Sequence, residues 1–169
     1  YLANCLNNAN CVMLQFAGTG VIQKLIVRGE DRKLTDSEQM GAAFASGYLT
    51  GFVGGPIELV MIQQQRKGGS FLSTVSTLVA GGPSMLTRGT FSMCLREAIN
   101  CGGFLGLCPV FRKAIQRNYP DSVGKNEETA RFAAAVVVSP LCSMLSHPPD
   151  TLKSCMQGDI QQIKYGSMR

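Results

Sequence analysis

The sequence is poor in charge and in the residue types that enzymes commonly use in catalysis. Charged residues make up 16% of the 169 positions, against roughly 25% in typical globular domains, and the chain has one histidine and no tryptophan. It contains no combination of nucleophile, base and orienting residue, no phosphate-binding loop and no metal-ligand motif. We therefore expect a protein that is not an enzyme and that uses no cofactor or metal.

Long runs of one charge are also missing. The 16 basic and 11 acidic residues give a net charge of +5, but no basic run is longer than a pair such as Arg66-Lys67 or Arg112-Lys113. A nucleic-acid-binding surface needs a larger basic cluster than these pairs supply. The sequence thus argues against nucleic acid as a partner.

The seven cysteines lack the spacing of a zinc site, since there is no C-x-x-C pair. Their odd number, without a secretory signal, favours a reducing compartment. Cys94, Cys101 and Cys108 are seven residues apart, which predicts that they share one helical face and pack there as small apolar groups. The chain does not begin with methionine, so we expect it to lie within a longer protein.

What the sequence has in abundance is apolar segments and glycine. Apolar residues make up 45% of the chain, there are 19 glycines, and the mean hydropathy is +0.09. Four apolar segments stand out, at residues 2–27, 40–62, 90–111 and 132–156. Since a helix of about 20 residues crosses a hydrocarbon core of about 30 Å, the sequence predicts an all-α transmembrane bundle of four helices. Residues 71–79 are predicted to form a short helix on the membrane surface.

Two of the apolar segments carry the same motif. A proline, an acid two residues later and a glutamine nine residues later occur at Pro56, Glu58 and Gln65, and again at an offset of 92 residues (148 − 56) at Pro148, Asp150 and Gln157. A proline kinks a membrane helix, and a carboxylate beside it must face protein or water. The second copy adds the base Lys153, where the first has Met61. Lys153 can reach Asp150 on its own helix or the acid of the other copy.

This motif resembles the signature of the mitochondrial carrier family, P-x-[DE]-x-x-[KR] followed by a glutamine. Residues 81–89 resemble the second signature of that family, with its acid and its aromatic residue missing. Carriers of this family have three repeats, each with two transmembrane helices and a short matrix helix. The resemblance implies an incomplete carrier fold that holds the second to fifth helices. Residues 1–39 would end the first repeat, 40–131 would form the second, and 132–169 would begin the third.

The resemblance also assigns roles to residues. It implies a salt-bridge network on the matrix side at Glu58, Asp150 and Lys153, a glutamine brace at Gln65 and Gln157, helix kinks at Pro56 and Pro148, and substrate contacts at Arg96, Glu97, Asn7 and Asn8. Glu58 is expected to pair with Lys153 as the single bridge of the network. Asp150 is then solvated or held by a polar neighbour. For Arg96 and Glu97, the alternative is a pair within the chain near the membrane interface.

The function implied by the resemblance is a multi-pass carrier of the mitochondrial inner membrane that exchanges small anionic metabolites by alternating access. Its expected partners are the substrate, the lipid bilayer with cardiolipin at the matrix-side helix ends, and other inner-membrane subunits. The alternative is a carrier-derived structural subunit that transports nothing. Met61, Gly20 and Pro109 favour this alternative, because the family pattern has charged residues at those positions.

Overall fold

The structure, a computed structural model, describes residues 2–28, 32–68 and 70–159. None of these residues lies in a strand, which confirms the all-α expectation for the described part of the chain. The helices are α1 (Leu2–Val27), α2 (Asp36–Lys67), α3 (Phe71–Ala80), α4 (Pro83–Leu86), α5 (Thr90–Cys101), a π-helical turn (Gly102–Leu107), α6 (Cys108–Asn118) and α7 (Glu127–Gly158). Residues 160–169, which end the segment predicted to begin the third repeat, lie outside the described residues.

Three helical segments are long and apolar enough to cross a membrane, namely Asn7–Val27 in α1, α2 and α7. The third predicted segment differs from the expected single span. It is helical from Thr90 to Asn118, but in three successive parts, because the π-helical turn separates α5 from α6. Arg96 lies in α5, and Arg112 and Lys113 lie in α6, so both parts are more polar than the other spans.

Large apolar side chains are exposed along the three spans. Phe16, Leu25, Phe52, Phe132 and Met144 are each between 61 and 74% exposed. Water would solvate such a surface poorly, whereas lipid chains cover it without cost. The outer surface is therefore suited to a bilayer.

Glycines allow α2 to lie directly against its neighbours. A Cβ atom built on Gly51 would be 2.5 Å from the Cα of Cys94 in α5, and one on Gly106 would be 2.9 Å from the Cα of Met40 in α2. No side chain fits at either position unless the backbones separate. Such close approach is typical of small residues between membrane helices.

The predicted surface segment forms helix α3. Ser70 caps it, since its Oγ accepts a hydrogen bond from the backbone N–H of Ser73 at 3.3 Å. Leu78 is 3% exposed and packs with Leu59 of α2, whereas Leu72 is exposed. The helix thus has one face on the bundle and one apolar face directed outwards.

The cysteine face predicted from the spacing of seven is only partly present. Cys94 and Cys101 are buried, but Cys108 is only half-buried. The π-helical turn lies between Cys101 and Cys108 and has bonds from residue i to i+5, so it shifts every later position around the helix axis. Cys108 consequently leaves the face that the other two share.

Candidate functional site

Five charged side chains from three helices meet inside the bundle. We call them the ion network, and they are Glu58 on α2, Arg96 and Glu97 on α5, and Asp150 and Lys153 on α7. Both acids of the repeated motif belong to it. Pro56 and Pro148 lie two residues before these acids, and both helices continue through them.

Lys153 forms the ion pair that the repeat alignment predicts. Its Nζ lies 2.7 Å from Oε1 of Glu58 and 3.1 Å from Oδ1 of Asp150. The side chain of Lys153 is 3% exposed. A lysine buried to this extent is tolerated only with its charge paired, so both carboxylates contribute to holding it there.

Arg96 pairs with Glu97, the alternative given for these two residues, and adds ion pairs with Glu58 and Asp150 that the sequence does not predict. Its Nη2 lies 3.3 Å from Oε2 of Glu58, and its Nη1 lies 3.3 Å from Oδ1 of Asp150. Nη2 also donates to Oε1 of Glu97. The expectation of a single bridge, with Asp150 left without a base, is therefore wrong. The physical reason is that α5 packs beside both α2 and α7, so a residue on its inner face reaches both copies of the acid.

A fourth helix is tied to the ion network by a residue that the sequence analysis missed. Gln15 of α1 donates from Nε2 to Oε2 of Glu97 at 2.6 Å. Its own backbone carbonyl accepts a hydrogen bond from Oγ of Ser46 on α2 at 3.0 Å. No sequence motif distinguishes Gln15 from other polar residues of α1, so only the packing of the helices identifies it.

The ion network is not electrically balanced among the described residues. Three carboxylates, on Glu58, Glu97 and Asp150, face the two bases Arg96 and Lys153, which leaves one surplus negative charge. Asp150 is the most accessible of the five, with 45% of its side chain exposed. The remaining four side chains are between 3 and 23% exposed.

The two predicted brace glutamines have different surroundings. Gln157 is fully buried, whereas Gln65 is exposed. The glutamine contact between the two motif copies is made by Gln63 instead, whose Nε2 donates to the backbone carbonyl of Gln157 at 2.6 Å. Residues two apart on a helix point about 200° away from each other, so Gln63 and Gln65 cannot both face α7. The side-chain amide of Gln157 has no hydrogen-bond partner within the described part of the chain.

The predicted substrate contacts fall into two groups. Arg96 and Glu97 belong to the ion network, while Asn7 and Asn8 line a cavity of about 180 Å³ between α1 and α2. The rest of the cavity lining consists of Glu58, Met61, Ile62 and Gln65. Glu58 thus belongs to both the cavity and the ion network.

The opposite end of the bundle carries a second set of ion pairs. Lys113 Nζ lies 2.6 Å from Oδ1 of Asp36, and Arg112 Nη1 lies 2.7 Å from Oε1 of Glu127. The acid missing at Pro109 is thus replaced by Glu127 from the first turn of α7. At about 1.5 Å per residue, positions 36 and 58 are roughly 33 Å apart along α2, close to the thickness of a hydrocarbon core.

Known proteins offer no guide to this arrangement. Comparison with protein-family models, with curated proteins and with solved structures found no match to the chain. Within residues 2–28, 32–68 and 70–159, no three His, Cys, Asp or Glu side chains are grouped so that they could hold a metal ion. The physical description of the site therefore rests on the ion network, the adjoining cavity and the membrane-length helices.

Proposed function

We propose that this chain is part of a multi-pass carrier of the mitochondrial carrier type, in the inner mitochondrial membrane, that exchanges small metabolites by alternating access. The observation that supports the proposal most directly is that one guanidinium, on Arg96, contacts equivalent acids from both copies of the repeated motif. Alternating access needs elements of similar structure that close around a central site. A shared ionic contact between two such elements fits that requirement.

The two sets of ion pairs supply the means for opening on one side at a time. In this proposal the ion network is the gate towards one side of the membrane, and the Lys113–Asp36 and Arg112–Glu127 pairs are the gate towards the other. Breaking one set while the other stays formed would expose the interior to one side of the membrane. Arg96 is already contacted by three carboxylates, so the proposal does not require an anionic metabolite.

Reconstitution into lipid vesicles tests the proposal. We expect vesicles containing the chain, preloaded with a mixture of organic acids, amino acids and amines, to exchange at least one labelled compound from that mixture. Lys153→Ala should change the exchange rate, because it leaves Glu58 with Arg96 alone on the closed side. The matched control is Lys67→Ala, since Lys67 is exposed and belongs to neither set of ion pairs. Equal rates for wild type and Lys153→Ala would contradict the assigned role.

The second candidate is a structural subunit derived from a carrier. Met61 favours it, because the first motif copy has no base at the position that Lys153 occupies in the second. Under this proposal the apolar outer surface contacts other inner-membrane subunits, and the ion network only stabilises the fold. Absence of flux for every compound, before and after Lys153→Ala, together with lower assembly stability in the variant, would support the structural role over transport.

A further inference from the structure

The cavity between α1 and α2 has a definite size and chemical character. Its volume of about 180 Å³ equals the liquid volume of roughly six water molecules at about 30 Å³ each. Three of its side chains are carboxamides, on Asn7, Asn8 and Gln65, and one is the carboxylate of Glu58. Carboxamides both donate and accept hydrogen bonds, so the cavity suits a small polar solute of about six non-hydrogen atoms.

The internal repeat shows what the cavity lacks. The offset of 92 residues places Met61 at the position that Lys153 holds in the second copy (153 − 61). Lys153 sends its ammonium group to Glu58 and Asp150, whereas Met61 lines the cavity with an apolar side chain. The first copy therefore offers a carboxylate and an open space where the second copy offers a carboxylate and a cation.

The charge of the ion network indicates which sign of charge a ligand in the cavity should carry. The ion network carries one surplus negative charge among the described residues, and Glu58 brings that network to the cavity wall. A carboxylate accepts up to about four hydrogen bonds, so Glu58 keeps acceptor capacity beyond its contacts with Arg96 and Lys153. Glu58 is the charged side chain that lines the cavity, whereas neither Arg96 nor Lys153 lines it, so a cation in the cavity meets a carboxylate directly and is attracted more strongly than in water because the site is partly buried.

We propose that this cavity binds a small solute with a single positively charged group, an ammonium or a guanidinium, beside Glu58. The solute supplies the charge that Met61 does not, and its uncharged end is hydrogen-bonded by the carboxamides of Asn7, Asn8 and Gln65. As a statement about the transported substrate class, this inference rests on the proposed carrier function. As a statement about binding, it stands without transport.

A pair of matched probes tests the sign of the charge. 4-Amino-1-butanol and 4-hydroxybutyrate have similar length and carry one charge each, of opposite sign at neutral pH. With the chain purified in detergent, we expect saturating aminobutanol to raise the midpoint of thermal unfolding by about 2 to 4 °C. Hydroxybutyrate should leave it unchanged. A shift with hydroxybutyrate, or no shift with either probe, would overturn the proposal.

Substitutions at Met61 test the location. Met61→Lys places an ammonium group in the cavity, so it should raise the unfolding midpoint without ligand and remove the response to aminobutanol. Met61→Leu keeps the cavity apolar on this side and should retain the response. Glu58→Gln provides an independent check, since loss of the surplus charge should also remove the response. Persistence of the aminobutanol shift in both Met61→Lys and Glu58→Gln would refute this site.

The binding assay tests the cation site and the vesicle assay tests the carrier function, so either proposal can fail without the other. An aminobutanol shift without flux of any compound means that the cation site exists and the carrier function does not. Flux of an organic acid without an aminobutanol shift means that the chain transports and that the cation site is wrong.

Discussion

The two ends of the bundle use the same kinds of charged residue in very different surroundings. At the ion network, Lys153 is 3% exposed and Arg96 23% exposed, whereas Lys113 and Asp36 at the other end are 50 and 48% exposed. An exposed ion pair contributes about 0 to 1 kcal/mol, but removing one partner of a buried pair costs about 3 to 5 kcal/mol. Ion pairs with similar distances between their charged atoms therefore contribute differently to stability, according to how deeply they are buried. The buried ion network holds the helices together, and the exposed Lys113–Asp36 pair at the other end separates at little cost.

The largest effect is expected from Arg96→Met. Among the described residues, the substitution leaves Lys153 as the one base of the ion network, in contact with Glu58 and Asp150, so repulsion between the carboxylates adds to the lost contacts. We expect a loss of about 3 to 5 kcal/mol in the free energy of unfolding, measured by denaturant titration in detergent. A loss below about 1 kcal/mol would mean that the ion network contributes no more than an exposed pair.

A somewhat smaller loss is expected from Lys153→Met, because Arg96 still reaches Glu58 and Asp150. The expected value is about 3 kcal/mol, at the lower limit for breaking a buried pair. The double variant with Glu58→Gln should cost less than the sum of the single losses, since the two residues contact each other. Additive losses in this double-mutant cycle would show that the pair is not energetically coupled.

The smallest effect is expected at the exposed end. Lys113→Ala should lower the free energy of unfolding by less than about 1 kcal/mol, and the difference from wild type should shrink further in high salt. Denaturant titrations at low and high salt measure both quantities. A large, salt-independent loss would remove the contrast between the two ends.

The sequence predicts one part of this comparison well. The equivalence of Glu58 and Asp150 follows from the repeat. The contact of Glu58 with Lys153 follows from the resemblance to the carrier signature, because the spacing alone also allows Lys153 to pair with Asp150. The helices of most of the apolar segments and α3 follow from segment length and amphipathic pattern. These features depend on spacing within a segment, which the sequence records directly.

The features that the sequence does not predict depend on how the helices are rotated about their axes relative to one another. The resemblance assigns Arg96 to a substrate contact, and the sequence of α5 alone does not reveal that this residue also reaches acids on α2 and α7. Choosing Gln63 over Gln65 likewise requires the orientation of α2 relative to α7. The π-helical turn at Gly102–Leu107 shifts the later part of its segment, so a regular spacing of seven no longer describes one face. The spacing of residues within one segment does not determine how that helix is oriented relative to its neighbours.

The glycine contacts described for α2 have a consequence for motion. At Gly51 the backbones of α2 and α5 are so close that even a methyl group would force the two helices apart. These two helices should therefore move as one rigid body, since packed interfaces do not deform continuously. The tie between this body and the motif of α7 includes long, flexible arginine and lysine side chains, which can change partners over several ångströms. Any hinge movement of the bundle is consequently expected between the α2–α5 body and α7, on the microsecond to millisecond timescale of such motions.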